Sequence, residues 1–258
     1  MDFVSTGSGF LVGLLVGATG VGGGSLMTPL LVLLMGVAPA TAVGTDLLYA
    51  SITKMGGAWA HGRRKNIDWR ICGLLAAGSL PAAGVMLLIL NSLSVDPDQY
   101  ARLLKQCLGV ALVISAFALL LKDRLHAWAL ARSAKRAASP DRSPLATVIT
   151  GAVVGALVTA TSVGAGALGV AALLFVYPGL AAVRIVGTDI AHAVPLTLVA
   201  GLGHASLGGV DFGLLGNLLI GSLPGVYVGS HVSRALPERW LRVALASVLI
   251  LVASRLVL

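Results

Sequence analysis

Two aspartates stand inside apolar segments of this sequence, and the same three residues precede each of them. Val43-Gly44-Thr45-Asp46 recurs 143 residues later as Val186-Gly187-Thr188-Asp189. A carboxyl group at such a position is expensive to bury and is a functional-site hypothesis by default. Two roles remain open for Thr45, Asp46, Thr188 and Asp189. The carboxyl groups can carry a coupling proton, or the Thr–Asp pairs can accept backbone amide bonds at a second helix break.

Glycine-rich stretches upstream of both tetrads form a second repeated feature. Each glycine is about 1 kcal/mol less favourable than alanine in a helix interior, so each stretch is predicted to end one helix and start another. Amides at a helix start carry partial positive charge and bind oxyanions. The alternative is that the glycines only permit close helix packing. The predicted anion cradle consists of Gly22, Gly23, Gly24, Ser25 and Thr28 in the first half and Thr161, Ser162, Gly164 and Gly166 in the second.

Isolated histidines and one lysine are further candidates. His192 follows Asp189 by three residues, on the same helical face, where it can pair with the carboxyl group. His61 and His204 end equivalent segments and serve either as gate or relay groups or as partners of loop backbone. Lys54 lies near the end of its segment, where its amine either snorkels to the interface or balances an anion as a possible gate residue.

The composition determines what kind of elements position these residues. The chain has 258 residues, of which 57% are hydrophobic and 11% charged, and its mean hydropathy is +0.95. These values exclude a soluble globular enzyme. Lipid offers backbone groups no hydrogen bonds, and the long apolar runs lack the alternation of a barrel, so the prediction is an all-α polytopic membrane protein. The net charge of +8 comes from loop residues without an aromatic-rich basic face, and no nucleic-acid partner is expected.

The chain is predicted to be a duplicated half. The same offset relates His61 to His204, Asp68 to Asp211, and Gly78-Ser79-Leu80-Pro81 to Gly221-Ser222-Leu223-Pro224. Asp68 and Asp211 each precede an apolar run and are predicted to be helix N-caps. We divide the chain into a first membrane repeat at 1–121, a basic linker at 122–144 and a second membrane repeat at 145–258. Each repeat has about five apolar segments, and the second is too short to span: 3–19, 25–36, 39–60, 69–90 and 100–121, then 145–161, 167–177, 181–204, 212–233 and 240–258.

The basic residues predict the orientation of the two repeats. The linker is rich in Lys and Arg and is therefore predicted to be cytoplasmic. If each half crosses the membrane an odd number of times, fourteen of the eighteen basic residues lie inside. The loop from Arg63 to Arg70 is then cytoplasmic, whereas its repeat equivalent from His204 to Phe212, which has no Lys or Arg, is outside. This asymmetry predicts two inverted-topology repeats with short or broken helices after the glycine-rich stretches, an architecture typical of transporters.

These motifs resemble those of the sulfite exporter TauE/SafE family of membrane permeases. The resemblance rests on Gly17-Ala18-Thr19-Gly20-Val21-Gly22-Gly23-Gly24-Ser25-Leu26 with Pro29, followed by the first tetrad and repeated in the second half. The second half departs from the pattern at Ser162-Val163-Gly164-Ala165-Gly166 and has Ala171 where Pro29 maps. The resemblance covers the whole chain and implies movement of sulfite or organosulfonates across a prokaryotic cytoplasmic (inner) membrane.

The predicted function is therefore a secondary transporter of small anions that works by alternating access at the repeat interface. The expected partners are an anionic substrate, the lipid bilayer and possible coupling protons. No cofactor or metal is expected, and the chain has no Walker motif, so an ion gradient or a separate partner must supply energy. A passive anion channel is the alternative, and an intramembrane hydrolase that pairs Ser25 or Ser162 with His192 or His204 is a weaker one. The substrate, the transport direction, the coupling ion and the oligomeric state stay open.

Overall fold

The described part of the chain is entirely helical. The computed structural model describes residues 3–19, 27–92, 97–135, 144–232 and 238–257. Within these ranges there are ten helices: α1 Phe3–Thr19, α2 Met27–Leu34, α3 Pro39–Arg63, α4 Trp69–Ser92, α5 Pro97–Lys135, α6 Pro144–Thr161, α7 Ala167–Val176, α8 Ala182–Ser206, α9 Phe212–Val232 and α10 Glu238–Val257. The all-α prediction is confirmed for these residues.

Several of the helices fit a bilayer. Among the described residues, five are long and apolar enough to cross one by length and composition: Trp69–Ser92, Arg102–Leu121, Pro144–Thr161, Ala182–Ser206 and Phe212–Gly229. Large apolar side chains such as Leu88, Leu145 and Val153 are exposed on them, at 69%, 66% and 64% of their surface. Such surfaces are typical of a helix in contact with lipid tails. The chain is a multi-pass membrane protein.

Two short helices and one long one differ most from an ordinary span. α2 has 8 residues and α7 has 10, so at ~1.5 Å per residue neither reaches across a ~30 Å hydrocarbon core. By contrast, α5 runs on to Lys135, although the sequence predicts that its apolar segment ends at residue 121. Residues 122–135 contain neither glycine nor proline and are rich in strong helix formers, so the helix continues into the predicted linker.

Contacts between the halves organise the bundle. The first helix of each half packs on the fourth helix of the other, α1 on α9 and α6 on α4, and α5 packs on α10. Glycines make both contacts close. A Cβ at Gly78 would overlap the Val148 carbonyl of α6, and a Cβ at Gly221 would overlap the Thr6 carbonyl of α1. Small residues that let helix backbones approach each other are a common basis of association in membranes.

The equivalent helices α3 and α8 lie side by side and run antiparallel. Gly44 at the start of α3 lies against His204 near the end of α8, and Gly187 at the start of α8 lies against His61 near the end of α3. Midway along the pair, the Ser51 hydroxyl donates a hydrogen bond to the α8 backbone over 3.3 Å. Each helix therefore begins where its repeat equivalent ends.

The predicted second helix break at the tetrads is wrong, because α3 and α8 are continuous through them. Gly44 and Gly187 instead allow close approach of a loop from the other half. A Cβ at Gly44 would overlap the Gly209 carbonyl, and one at Gly187 would overlap the Asn66 carbonyl. A continuous helix bonds the backbone amides that a break would leave without acceptors. Glycine is compatible with a continuous helix as well as with a break.

We predict that Gly78→Ala destabilises the protein whereas Gly73→Ala, in the same helix, does not. The first change forces a methyl group into the α6 backbone, and overpacking of this kind costs about 1–3 kcal/mol. A Cβ at Gly73 meets open space, so the second change removes only glycine's backbone entropy. Unfolding by denaturing detergent measures both. Equal stability of the two variants would contradict the close packing of α4 on α6.

Candidate functional site

The glycine-rich stretch of the second half interrupts its helix. α6 ends at Thr161 and α7 begins at Ala167, and the residues between them are buried. Gly164 and Gly166 have φ angles of 117° and 134°, in a region that favours glycine. Ser162 also has a positive φ, 58°. The chain therefore stops one helix and starts another inside the protein. In the first turn of α7 the amides of Gly169 and Val170 bond to the carbonyls of Gly164 and Gly166, and those of Ala167 and Leu168 donate to no described residue.

Only part of the first predicted cradle lies among the described residues. Of the predicted cradle, Gly22, Gly23, Gly24 and Ser25 lie outside the described residues. Thr28 is described, and it stands in the first turn of α2. Thr28 is therefore the one residue of the first predicted cradle whose position the structure describes.

Asp46 binds the hydroxyl groups that the sequence assigns to the two cradles. Its Oδ2 accepts hydrogen bonds from the Thr28 amide at 3.1 Å, the Thr28 hydroxyl at 2.5 Å and the Ser162 hydroxyl at 3.0 Å. The carboxyl group is completely buried. Charge-assisted hydrogen bonds offset the desolvation of a buried carboxylate. Asp46 thus links the start of α2 in one half to the helix interruption of the other.

Asp189 is equally buried but lacks this set of donors. It is 2% exposed, and its Oδ2 has no hydrogen-bond partner among the described residues. The sequence explains the difference, because Val170 stands where Thr28 would map and Gly20 stands where Ser162 would map. Both hydroxyl groups that bind Asp46 are therefore missing from the equivalent positions around Asp189.

Lys54 extends from α3 into the interrupted segment. Its side chain is only 6% exposed, and its Nζ donates a hydrogen bond of 2.7 Å to the Ala165 carbonyl. It also interacts electrostatically with both Asp46 and Asp189. Of the two alternatives for this lysine, snorkelling to the interface is wrong. The helix interruption frees a carbonyl group, and the ammonium group binds it inside the protein.

His192 pairs with a residue that the sequence reasoning missed. Its Nε2 lies 2.8 Å from the hydroxyl of Ser79 on α4, so the predicted pairing with Asp189 is wrong. Ser79 belongs to the repeated Gly-Ser-Leu-Pro motif, and a serine inside an apolar helix is the signal that would have found it. At the equivalent positions, the buried Tyr49 hydroxyl lies beside Ser222. The symmetry of the repeats therefore places a serine opposite a polar ring in both halves.

The threonines of the tetrads bind the loops of the opposite halves. Thr45 Oγ1 accepts the Asp211 amide at 3.1 Å, and Thr188 Oγ1 accepts the Asp68 amide at 2.9 Å. The predicted N-caps are confirmed, because Asp68 Oδ1 accepts the Ile71 amide and Asp211 Oδ1 accepts the Leu214 amide. Each threonine hydroxyl thus binds the start of the fourth helix of the other half and not the carboxyl group of the aspartate that follows it in the tetrad.

The remaining candidates lie at the margins of this region. His204 Nε2 is buried and lies 2.9 Å from the Thr159 carbonyl, so it contacts backbone. His61 Nδ1 has no hydrogen-bond partner among the described residues. Thr161 donates its hydroxyl proton to the Leu157 carbonyl at 2.7 Å. The Thr161 hydroxyl and His204 Nε2 thus each contact a backbone carbonyl of α6.

We call the buried group formed by Thr28, Asp46, Lys54, Ser79, Ser162, Asp189 and His192 the central polar cluster. Its members come from both halves and meet around the helix interruption. Within the described residues no three His, Cys, Asp or Glu side chains group as metal ligands would. The cluster combines two carboxyl groups, one ammonium group and several hydroxyl groups, and ionisable groups buried in a membrane protein are candidates for an ion or proton pathway.

We predict that Thr28→Val lowers the free energy of unfolding by about 1–3 kcal/mol, because a buried carboxylate loses a hydrogen-bond donor. Thr150→Val is the matched control, since that hydroxyl bonds only to the Ala146 carbonyl of its own helix. A double-mutant cycle of Thr28→Val with Asp46→Asn then isolates the contact. Additive effects of the two changes would show that Thr28 and Asp46 do not interact.

Comparison with known proteins agrees with this architecture. Residues 6–256 match the family described as "Sulfite exporter TauE/SafE". The chain is 39% identical to the probable membrane transporter protein YjnA of Bacillus subtilis (strain 168), covering 96% of this chain and 97% of the relative. It is 29% identical to the probable membrane transporter protein YdhB of the same organism, covering 92% of each chain. No solved structure gives a significant match. The chain belongs to the sulfite exporter TauE/SafE family, a family of membrane transporters.

Proposed function

We propose that this protein is a secondary transporter that moves small sulfur-containing anions, such as sulfite or organosulfonates, across the bacterial cytoplasmic membrane. The description of the family names a sulfite exporter, and the relatives are described as probable membrane transporters. The observation that carries the proposal is a buried lysine held at a helix interruption between the two halves. A buried ammonium group beside a helix start is the environment that an oxyanion requires.

Alternating access follows from an inverted repeat, and the packing supports one. The equivalent helices α3 and α8 are antiparallel, and each half lays its first helix on the fourth helix of the other. In inverted-repeat transporters the substrate lies at the repeat interface, near the midplane, where interrupted helices present backbone groups. The central polar cluster joins residues of both halves at such an interruption, which supports this proposal.

Within the cluster, we assign the anion to Lys54 and the start of α7. Thr28 and Ser162 already bind the Asp46 carboxylate, so their hydroxyl groups are committed. Lys54 uses one of its three protons on the Ala165 carbonyl, and in the first turn of α7 the amides of Ala167 and Leu168 donate no hydrogen bond to a described residue. Ser162 contacts Asp46 and His192 contacts Ser79, an arrangement that does not favour the nucleophile–base pair of a hydrolase.

We predict opposite orientations for two repeat-equivalent loop positions. Arg64, after α3, and Leu207, after α8, are both exposed, and the distribution of basic residues predicts that Arg64 is cytoplasmic and Leu207 is outside. In a background lacking Cys72 and Cys107, Arg64→Cys and Leu207→Cys are treated with a membrane-impermeant maleimide. We expect intact cells to label only Leu207→Cys, and permeabilised cells to label both. Labelling of both in intact cells would contradict the inverted repeat.

We predict saturable flux of at least one sulfur oxyanion into proteoliposomes containing the purified protein. The panel is sulfite, thiosulfate, sulfate, methanesulfonate and acetate, each with and without a pH gradient. Flux that never saturates and ignores the gradient would indicate a passive channel. No flux of any anion above that of protein-free vesicles would contradict the proposed function.

Lys54→Met then tests the assigned binding group. Loss of a charged hydrogen-bond partner weakens binding by about 1.5–3 kcal/mol, which corresponds to a KM increase of roughly tenfold or more. Lys105→Met is the matched control, because this lysine is exposed on α5. Thermal unfolding of both variants separates a change in affinity from a loss of folded protein. An unchanged KM in folded Lys54→Met would remove Lys54 from the binding site.

A further inference from the structure

The two repeat-equivalent aspartates of the central polar cluster have different environments. Asp46 Oδ2 accepts three hydrogen bonds, from Thr28 and Ser162. Asp189 Oδ2 accepts none from any described residue, although it is buried to the same extent. Each carboxyl group has one oxygen without a hydrogen-bond partner among the described residues, Asp46 Oδ1 and Asp189 Oδ2. Protonation of Asp46 would still remove the negative charge that strengthens its three hydrogen bonds, whereas protonation of Asp189 Oδ2 would disturb no hydrogen bond from a described residue.

Asp189 lies beside the start of α7, next to the segment that the buried lysine binds. Its Oδ1 approaches the first turn of α7 so closely that a Cβ at Gly169 would overlap it. Across from α7, Lys54 of α3 interacts with it electrostatically. The carboxyl group therefore adjoins both groups that we assign to the anion, the α7 start and the Lys54 ammonium.

Few other ionisable groups surround Asp189. Lys54 and Asp46 face the cluster from α3, Cys72 interacts with Asp189 from α4, and His192 of α8 itself is bound to Ser79. The helices α6 and α7 contain no ionisable side chains. The other ionisable residues of α3 and α4 are Tyr49, beside Ser222; His61, beside Gly187; and the exposed Arg63 and Arg70.

The formal charges of the cluster link the anion to a proton. When all three groups are charged, the carboxylates of Asp46 and Asp189 and the ammonium group of Lys54 sum to a net charge of −1, which repels an entering anion. A proton on Asp189 brings the net charge to zero and leaves Lys54 without its second carboxylate. A monovalent anion that then binds Lys54 restores the original net charge. Loading one proton and one such anion thus leaves the charge of the buried cluster unchanged.

We propose that Asp189 is the proton-carrying group of this transporter, and that the charge of the buried Lys54 is balanced in turn by the Asp189 carboxylate and by the substrate anion. Asp46 stays ionised as the brace between the halves. This inference rests on the proposed function and adds a stoichiometry to it. Asp189 takes up one proton on the side where the anion binds Lys54, and both leave on the other side, so no net charge crosses the membrane.

Methanesulfonate and sulfite are the probes, and proteoliposomes containing the whole protein are the system. Methanesulfonate stays a monovalent anion at neutral pH, so a proton that moves with it must be carried by the protein. With one proton per anion, a gradient of one pH unit supports about tenfold accumulation of the anion. Because the cycle is electroneutral, a potassium diffusion potential set with valinomycin leaves that ratio unchanged. Accumulation that follows the imposed potential would overturn the proposal.

Asp189→Asn and Asp46→Asn are the decisive pair, because they make the same chemical change at equivalent positions. We expect Asp189→Asn to abolish accumulation driven by the pH gradient while anion exchange across the membrane remains measurable. We expect Asp46→Asn to lower the thermal stability and to keep its response to the gradient. Accumulation by Asp189→Asn at the wild-type ratio would overturn the proposal.

A spectroscopic readout does not depend on the choice of anion. Infrared difference spectra recorded between acid and alkaline pH report the carbonyl stretch of a buried protonated carboxyl group. We expect this band in the wild-type protein and in Asp46→Asn, and its absence in Asp189→Asn. A band retained in Asp189→Asn would overturn the assignment. Absence of flux of every anion by the wild-type protein would count against the proposed function, and the spectra would still test Asp189.

Discussion

The contact between the Asp46 carboxylate and its three donors is the interaction on which this structure depends. A fully buried carboxylate is tolerable only when charge-assisted hydrogen bonds replace its hydration, and Thr28 and Ser162 supply them from different halves of the chain. The same residue therefore fixes the start of α2 and one end of the interruption between α6 and α7. Lys54, further along α3, binds the same interruption at the Ala165 carbonyl.

Neither half of the chain encloses this cluster by itself. The first helix of each half packs on the fourth helix of the other, and the tetrad threonines bind loop amides across the same interface. Close approach of backbones at Gly78 and Gly221 makes that exchange of helices possible. In a bilayer, where no hydrophobic force drives helices together, such small-residue contacts and buried hydrogen bonds provide most of the association. The central polar cluster therefore depends on contacts that both halves supply.

The duplication leaves near-symmetry in the fold and asymmetry in the chemistry. Both halves retain the tetrad, the interrupted or short helix, and a serine opposite a polar ring at Tyr49 or His192. The residues that differ are few, yet they decide which carboxylate is bonded. Valine in place of Thr28 and glycine in place of Ser162 leave Asp189 without the donors that Asp46 has. Among the described residues, the near-symmetric scaffold therefore gives Asp46 two bonded side chains and gives Asp189 Oδ2 none.

The sequence by itself predicted the all-helical membrane fold, the approximate positions of the helices apart from the end of α5, the repeated motifs and the helix interruption at 162–166, because hydropathy, glycine content and sequence repeats can be read along the chain. Asp68 and Asp211 could likewise be predicted as N-caps, since a cap bonds within its own first turn. Only the tertiary structure decided that Lys54 turns inward, that His192 binds Ser79, and that Thr45 and Thr188 bind opposite loops. These contacts join residues far apart in the sequence, so their geometry depends on how the helices pack and not on the spacing of residues along any one of them.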